Sequence, residues 1–199
     1  MTGFREQLAE QRWDDHRLYH HSLMNQSLHF VSACTFLTAY ALLFIDPAVA
    51  SLLAWGVAMT SRQAGHFFFE PKGYDHKNDA SHAHKEAVKL GYNLFRKWVL
   101  MSLWAAVPVV LALQPGLWGL LDAPGGWGIT LRRIGTAWLF LGVGAIAFRS
   151  VQLFFQKDVE TGLVWATKIV TDPFNDFRLY RAAPGRLLRG ERMDYPEAA

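Results

Sequence analysis

The stretch YHHSLMNQSLHF, residues 19–30, sets three histidines and an asparagine at the start of an apolar run. Ser22 is a predicted helix N-cap, because its hydroxyl can accept hydrogen bonds from the first amides of a helix. That start places Asn25 and His29 in the first turns, while the other two histidines precede the helix. The stretch therefore predicts a helix whose entry is lined with side chains that can bind a metal.

A second polar cluster, GHFFFE at residues 65–70, ends the next apolar run. It places Arg62, His66 and Glu70 at positions i, i+4 and i+8, which form one stripe on a helix. Two helices that form a hairpin return to the same side of a membrane. We therefore expect His29 and His66 to meet at one membrane face.

The composition indicates a membrane protein. Apolar residues make up 51% of the 199 positions and charged residues 19%, and the apolar residues occur in blocks. We predict an all-α fold, an integral membrane bundle of about four transmembrane helices that forms a single domain over residues 1–199. The predicted parts are spans at 29–45, 48–69, 99–121 and 134–155, a histidine-rich cytosolic loop at 71–97 and a basic cytosolic tail at 156–199.

The distribution of basic residues predicts the orientation. Lysines and arginines number 18 in the N-terminal segment, the long loop counted from Arg62 and the tail counted from Arg149, against 2 between the third and fourth spans. Cytosolic segments carry the excess of basic residues, so both termini and all eight histidines are predicted on the cytosolic side. The first 28 residues lack the order of a signal peptide, and high usage of Ala, Gly, Arg and Trp favours a bacterial inner membrane.

Two other features narrow the function. The net charge of +3 and the pI near 9.1 are mildly basic, but the basic residues do not form a stripe with interleaved aromatics. No nucleic-acid binding is predicted. Cys34, the single cysteine, lies inside an apolar run and is predicted to be a small packing residue.

Histidines at a membrane edge have two interpretations. An isolated one is a polar residue at the level of the lipid headgroups, which is the interpretation for His76 and His82. A convergent set binds a metal, because an ionisable group at a membrane edge needs a partner or an ion to offset its desolvation. Imidazole suits iron, copper, zinc and nickel. We predict that His20, His29 and His66 form such a set.

The two charged residues of the second cluster are candidate catalytic residues with several interpretations. Glu70 is a metal ligand, a group that orients a histidine, or an interfacial charge. Arg62 is a cytosolic anchor or, if it turns inward, a partner for a substrate carboxylate. These alternatives stay open at the level of sequence.

The ordered motifs are similar to those of a known family. YHH-x3-N-x3-H, starting at Tyr19, is followed at the end of a later span by GH-x2-FE, starting at Gly65. In this order they resemble the Mpo-type 2-hydroxy fatty acid dioxygenase family of small integral membrane proteins. The resemblance covers residues 15–71, and the segment 173–187 is similar to the family's C-terminal end, with Asp176 at a matching position.

The resemblance implies a function. It implies an Fe(II)-dependent oxidation in which a 2-hydroxy fatty acid and O2 yield a fatty acid one carbon shorter, within membrane lipid. The family's functional histidines correspond to His20, His29 and His66. His84 or Glu70 is then predicted to be a fourth ligand.

Other resemblances keep further functions open. The spacings His82-x-His84 and His16-x3-His20-His21 are similar to the histidine boxes of membrane fatty acid hydroxylases and desaturases, which use two irons. Paired histidines at one face of four spans also fit a haem-binding electron-transfer protein. A membrane scaffold with incidental histidines would bind no stoichiometric metal.

Overall fold

The computed structural model describes residues 3–121 and 126–194, and no strand element occurs within these ranges. Two π-helical segments, Ala54–Met59 and Gly65–Phe69, continue α3 and α4, and a 3-10 turn at Leu117–Gly119 follows α6. The all-α prediction is confirmed for the described residues. The helices are α1 Phe4–Tyr19, α2 Leu23–Leu43, α3 Pro47–Leu53, α4 Thr60–Ala64, α5 His82–Val88, α6 Leu94–Leu113, α7 Trp127–Gln156, α8 Val159–Tyr180 and α9 Ala183–Leu188.

Three helices, α2, α6 and α7, are long and apolar enough to cross a membrane. They have 21, 20 and 30 residues. At about 1.5 Å per residue they reach roughly 30–45 Å, which covers a hydrocarbon core of about 30 Å. The predicted count of four spans is not confirmed, because residues 48–69 form a succession of short α and π segments.

Residues 47–69 are named here the composite helix. Asp46 caps its start by accepting a hydrogen bond from the Val49 amide at 3.3 Å, and Pro47 is its first residue. A π turn lengthens the hydrogen-bonded loop and re-aims the side chains that follow it, and such turns are frequent at functional sites. The second π turn of the composite helix contains His66.

The composite helix and α7 pack closely at one end of the bundle. A Cβ atom on Gly135 would lie 2.3 Å from the Ala48 carbonyl oxygen, so this approach requires glycine. The indole N–H of Trp55 donates to the Trp138 carbonyl at 2.8 Å. The buried residues of this apolar core are Trp55, Leu111, Ile134 and Trp138.

The third predicted span, residues 99–121, is displaced in the structure. Its helix, α6, begins earlier because Asn93 caps it, accepting a hydrogen bond from the Arg96 amide at 3.1 Å. The helix ends at Leu113, ahead of a Pro-Gly dipeptide that starts a turn. The predicted histidine-rich loop therefore also ends earlier than residue 97.

The fourth predicted span, residues 134–155, corresponds to α7, which begins earlier and includes Arg132 and Arg133. The two arginines are accommodated in the helix because their guanidinium groups have oxygen partners. Arg132 lies 2.7 Å from the Asp46 carboxylate, and Arg133 donates to the Pro115 carbonyl at 2.9 Å.

The predicted basic tail, residues 156–199, is helical up to Leu188 in the part that the structure describes, and its last five residues lie outside that part. Asp158 caps α8 by accepting a hydrogen bond from the Thr161 amide at 2.7 Å. The helix α8 packs against α1, α2 and α7. The tail therefore contributes to the packed fold and covers the start of α2.

Candidate metal centre

The site lies where three segments meet. His20 follows the last residue of α1, His29 lies in the second turn of α2, and His66 lies in the second π turn. Ser22 caps α2 as predicted, accepting from the Asn25 amide at 3.5 Å. The composite helix packs against α2, which brings the histidines of both segments to the same end of the hairpin.

The three histidines form one compact group. The ring centroids are separated by 4.1 Å for His20 and His29, 5.2 Å for His20 and His66, and 5.0 Å for His29 and His66. One nitrogen from each ring lies within 4.8 Å of the corresponding nitrogens of the other two. Within residues 3–121 and 126–194, this is the one group of three His, Cys, Asp or Glu side chains with such spacing.

Each ring is held through its Nδ1 atom by an oxygen atom from another side chain. An oxygen acceptor at Nδ1 favours the tautomer with the proton on that nitrogen, which leaves the Nε2 lone pair for a metal. This is the common way in which proteins orient metal-binding histidines. The pairs are His20 with the Tyr180 hydroxyl at 2.9 Å, His29 with Asp176 at 3.5 Å and His66 with Glu70 at 2.6 Å.

The Nε2 atoms of His20 and His29 are buried and make no hydrogen bond within the described residues. An unpaired buried polar atom costs about 1–3 kcal/mol, a cost that a bound ion would remove. Burial lowers the pKa of His20 well below its ordinary value, and His29 and Arg62 act in the same direction. The ring of His20 is therefore neutral, the form that binds metals.

Gly65 permits the composite helix to approach α2 at the site. A Cβ atom there would lie 2.2 Å from Oδ1 of Asn25 and 3.5 Å from the His29 ring. Asn25 is fully buried and donates to the Tyr19 carbonyl at 2.9 Å. The asparagine of the sequence motif therefore joins the end of α1 to α2 and the composite helix.

A stripe of polar residues on α8 faces the site. Arg62 lies 3.0 Å from the Asp176 carboxylate and 3.7 Å from the Asp172 carboxylate. Lys168 lies 2.8 Å from Asp172 and also pairs with Asp15 on α1. The members of the stripe, spaced four residues apart, are Lys168, Asp172, Asp176 and Tyr180.

The ion pairs keep the buried stripe charged. Burial raises the pKa of Asp176, but the Arg62 guanidinium and His29 outweigh burial, and the pKa lies below its ordinary value. Burial lowers the pKa of Lys168, but the carboxylates of Asp15 and Asp172 outweigh burial, and the pKa lies above its ordinary value. The chain of pairs therefore runs from α1 to the carboxylate that orients His29.

Arg62 and Glu70, the predicted catalytic residues, both lie at the site. Arg62 contacts carboxylates of α8, and its contact with Asp176 supports a role in holding that group. Glu70 is buried, and its hydrogen bond to His66 matches the orienting role among its three interpretations. Its other oxygen lies 3.5 Å from Lys89.

The structure does not bring His84, predicted as a fourth ligand, to the group. His84 is exposed on the first turn of α5, where its amide donates to the Ser81 hydroxyl at 3.2 Å. His21 contacts Asp75 at 3.2 Å, and His76 is exposed. The placement of His84 departs from the prediction because the first turn of α5 directs this side chain to the surface.

Two residues at the site have no assigned role in the sequence analysis. Tyr180 could have been found from the four-residue spacing of the α8 stripe, which the sequence contains. Lys97 is buried in the first turn of α6, close enough for its charge to act on His66. Its ammonium makes no hydrogen bond within the described residues. Unlike Tyr180, Lys97 belongs to no regular spacing in the sequence, so the sequence does not distinguish it from the other lysines nearby.

Comparisons with protein-family models, with curated proteins and with solved structures found no match to this chain. The family resemblance therefore stays a prediction from two short motifs.

Proposed function

We propose that this chain is a membrane-bound dioxygenase that holds Fe(II) with His20, His29 and His66 and shortens 2-hydroxy fatty acids by one carbon. The observation that carries the metal centre is the convergence of three imidazoles, two of which have buried, unpaired Nε2 atoms. The choice of iron and of the reaction comes from the motif resemblance. The common Fe(II) set for O2 chemistry has two histidines, one carboxylate and open positions; here a third histidine takes the place of the carboxylate, and imidazole is itself a ligand that suits iron.

The geometry favours one ion over the alternatives. A haem needs its macrocycle between axial histidines, and ring centroids 4.1–5.2 Å apart leave no room for it. A di-iron site needs a second set of ligands, and the described residues contain one group with metal-binding spacing. The proposal is therefore a mononuclear centre.

We place the centre at the cytosolic face of a bacterial inner membrane. The composite helix is proposed as a fourth crossing beside α2, α6 and α7. Its residues, 47–69, extend roughly 30–35 Å if the rise per residue is near that of an α-helix. The excess of basic residues near the histidine end supports the orientation.

Lys97 is the cation that we assign to the substrate carboxylate. A 2-hydroxy acid carries a carboxylate and a hydroxyl on adjacent carbons, and Lys97 lies near His66 with no hydrogen-bond partner among the residues that the structure describes. Met101 and Trp104, four and seven residues further along α6, lie on the same helix face as Lys97 and are half-buried. We propose that the acyl chain follows this face into the bilayer.

The chain's own residues orient the reactants. Bound Fe(II) would supply O2 activation and coordination of the hydroxy acid. Glu70, Asp176 and Tyr180 hold the three imidazoles, and Arg62 keeps the Asp176 carboxylate ionised. The reaction balances as one 2-hydroxy acid and one O2 giving one shorter acid, one CO2 and one water.

The test uses detergent-purified protein loaded with Fe(II) under anaerobic conditions and then mixed with 2-hydroxyhexadecanoic acid and O2. We expect pentadecanoic acid as the product and none from hexadecanoic acid, which lacks the hydroxyl. Lys97→Met should raise KM about tenfold or more, because the substrate carboxylate loses a charged partner, while iron content stays at the wild-type level.

Folded protein that carries one iron per chain and gives no shortened acid would reject the proposed reaction. Selective retention of zinc would reject iron instead, since three histidines with an open position also form a catalytic zinc site.

A further inference from the structure

A cavity of about 350 Å³ lies apart from the histidines. It is open on one side and lined by α5 and the segment that follows it, the start of α6 and the end of α7. Ligand-binding pockets in proteins span roughly 300–1,000 Å³, so this volume accommodates a group larger than a single phosphate ion. No role in the proposed oxidation uses this cavity.

The walls of the cavity are strongly basic. Four cations line it, with one carboxylate, Glu86. Glu86 is already engaged by Lys89 at 3.2 Å and by the Leu94 amide at 2.7 Å. Burial raises the pKa of Glu86, but Lys89 and the amide outweigh burial, and the pKa lies below its ordinary value. The cations are Lys89, Arg96, Arg149 and Lys157.

The cations differ in how they are held. Arg149 is 3% exposed and donates through Nε and Nη2 to the Leu90 carbonyl at 3.0 and 2.7 Å, so it forms a fixed wall. Arg96 donates through Nη1 to the Gly91 carbonyl at 3.2 Å. The ammonium of Lys157 makes no hydrogen bond within the described residues. Arg96 and Lys157 therefore have donors available to a ligand.

The surroundings of the cavity are apolar. It lies between the ends of two helices that are long and apolar enough to cross a membrane. Phe95 and Phe155, next to lining residues on these helices, are 74% and 86% exposed. A ligand with an anionic head and hydrocarbon chains matches both features, because its chains would cover the exposed rings.

We propose that this cavity binds the phosphate headgroup of an anionic membrane phospholipid. Arg149, whose three guanidinium nitrogens already donate to Leu90, Gln152 and Gln156, provides a fixed positive charge, and Arg96 and Lys157 supply the donors to the phosphate. The proposal is independent of the proposed oxidation, since it uses none of the three histidines.

The experiment titrates detergent-purified full-length protein with short-chain phosphatidylglycerol and counts bound lipid by native mass spectrometry. The variant is Arg96→Gln with Lys157→Gln, which leaves Lys89 and its contact with Glu70 intact. The matched control is Arg178→Gln with Arg181→Gln, which removes the same charge from exposed positions of the tail. We expect the cavity variant to bind phosphatidylglycerol about thirtyfold more weakly and the control to bind it as wild type does.

Two parallel titrations identify the ligand. Phosphatidylcholine should bind far more weakly, because its headgroup carries no net charge, and inorganic phosphate should fail to compete. Equal affinity for phosphatidylcholine, or equal loss in the control variant, would overturn the site. Competition by inorganic phosphate at equal concentration would contradict the proposal that the bound phosphate group belongs to a lipid. Metal content, measured on the same samples, should stay unchanged in every variant.

Discussion

The two ends of this helix bundle bury different kinds of side chain. At one end, Trp55 and Trp138 pack in an apolar core, and their indole N–H groups donate to backbone carbonyls at 2.8 and 2.9 Å. At the other end, His20 and His29 are buried with unpaired Nε2 atoms, beside the ion pairs of the α8 stripe. The buried atoms without a hydrogen-bond partner among the described residues therefore differ in kind: near the apolar end they are Ser51 Oγ and Trp104 Nε1, and at the other end they include two imidazole nitrogens that can bind a metal.

The difference separates stability from function. Burial and close packing of apolar side chains stabilise a fold directly. Unpaired imidazole nitrogens destabilise it unless a ligand completes them. We therefore expect substitutions at the apolar end to reduce the free energy of unfolding, and substitutions at the histidine end to reduce metal binding.

Among substitutions that keep all three histidines, the largest effect on metal binding is expected for Gly65→Ala. The new methyl group would lie within 2.2 Å of the Asn25 side chain and displace it against His29. The affinity for the metal should fall by about a hundredfold or more. Mass spectrometry of the purified protein should show a correspondingly lower metal content. Gly56→Ala is the matched control, since a Cβ there meets nothing within 4 Å. Wild-type metal content in the Gly65 variant would contradict the described approach of the helices.

Trp138→Ala should have the opposite profile. It removes a buried ring from the apolar core, and the free energy of unfolding should fall by about 3–5 kcal/mol. Thermal unfolding of metal-free protein in detergent measures this change, and the folded fraction should still bind metal. Trp127, which is 84% exposed, provides the control, because its replacement by alanine should shift stability by about 0.5 kcal/mol or less. If the Trp138 variant lost its metal at a temperature where it is folded, the apolar end would also contribute to metal binding, which would contradict the separation of the two ends.

Tyr180→Phe should weaken metal binding without unfolding the chain. It removes the hydroxyl that holds His20, and loss of such an orienting group reduces metal affinity by about 10–100-fold. Tyr40→Phe removes a tyrosine hydroxyl that donates to the Val170 carbonyl at 2.9 Å, away from the histidines. Competition with a fluorescent chelator measures both affinities, and equal values for the two variants would argue against an orienting role for Tyr180.

The smallest effect is the pH dependence of the metal-free protein. Because the folded-state pKa of His20 is below that of the unfolded chain, the unfolded state binds more protons below about pH 6.5. Stability should therefore decrease as the pH falls from 7.5 to 5.5, and His20→Ala should make the decrease shallower. Thermal unfolding across this range measures both slopes. Identical slopes would contradict a neutral buried His20.

The sequence predicted the meeting of His20, His29 and His66 because that meeting needs only helix periodicity, a hairpin and the distribution of basic residues. It did not predict the partners of these histidines. Tyr180 reaches His20 across 160 positions, a contact that depends on how α8 packs and not on local pattern. The stripe on α8 is visible in the sequence, but its direction is fixed only by tertiary structure.

The composite helix shows a second kind of difference. Hydrophobicity predicted one span over 48–69, yet the structure contains two π turns within it. A π turn rotates the side chains that follow it about the helix axis, but the first part of this segment is apolar on every side, so hydrophobicity cannot locate the turn. Gly65 starts the second π turn. The requirement for glycine at this position follows from the packing of Asn25 against it, which only the structure shows.

The most direct measurement is the metal content and absorption spectrum of detergent-purified protein expressed with ample iron, comparing wild type with His29→Ala, His66→Ala and His84→Ala. We predict about one iron per chain without a haem absorption band in the wild type and in the His84 variant. The His29 and His66 variants should be folded and free of iron. Stoichiometric iron in either of these two variants, or none in the wild type, would contradict a metal centre built from the three converging histidines.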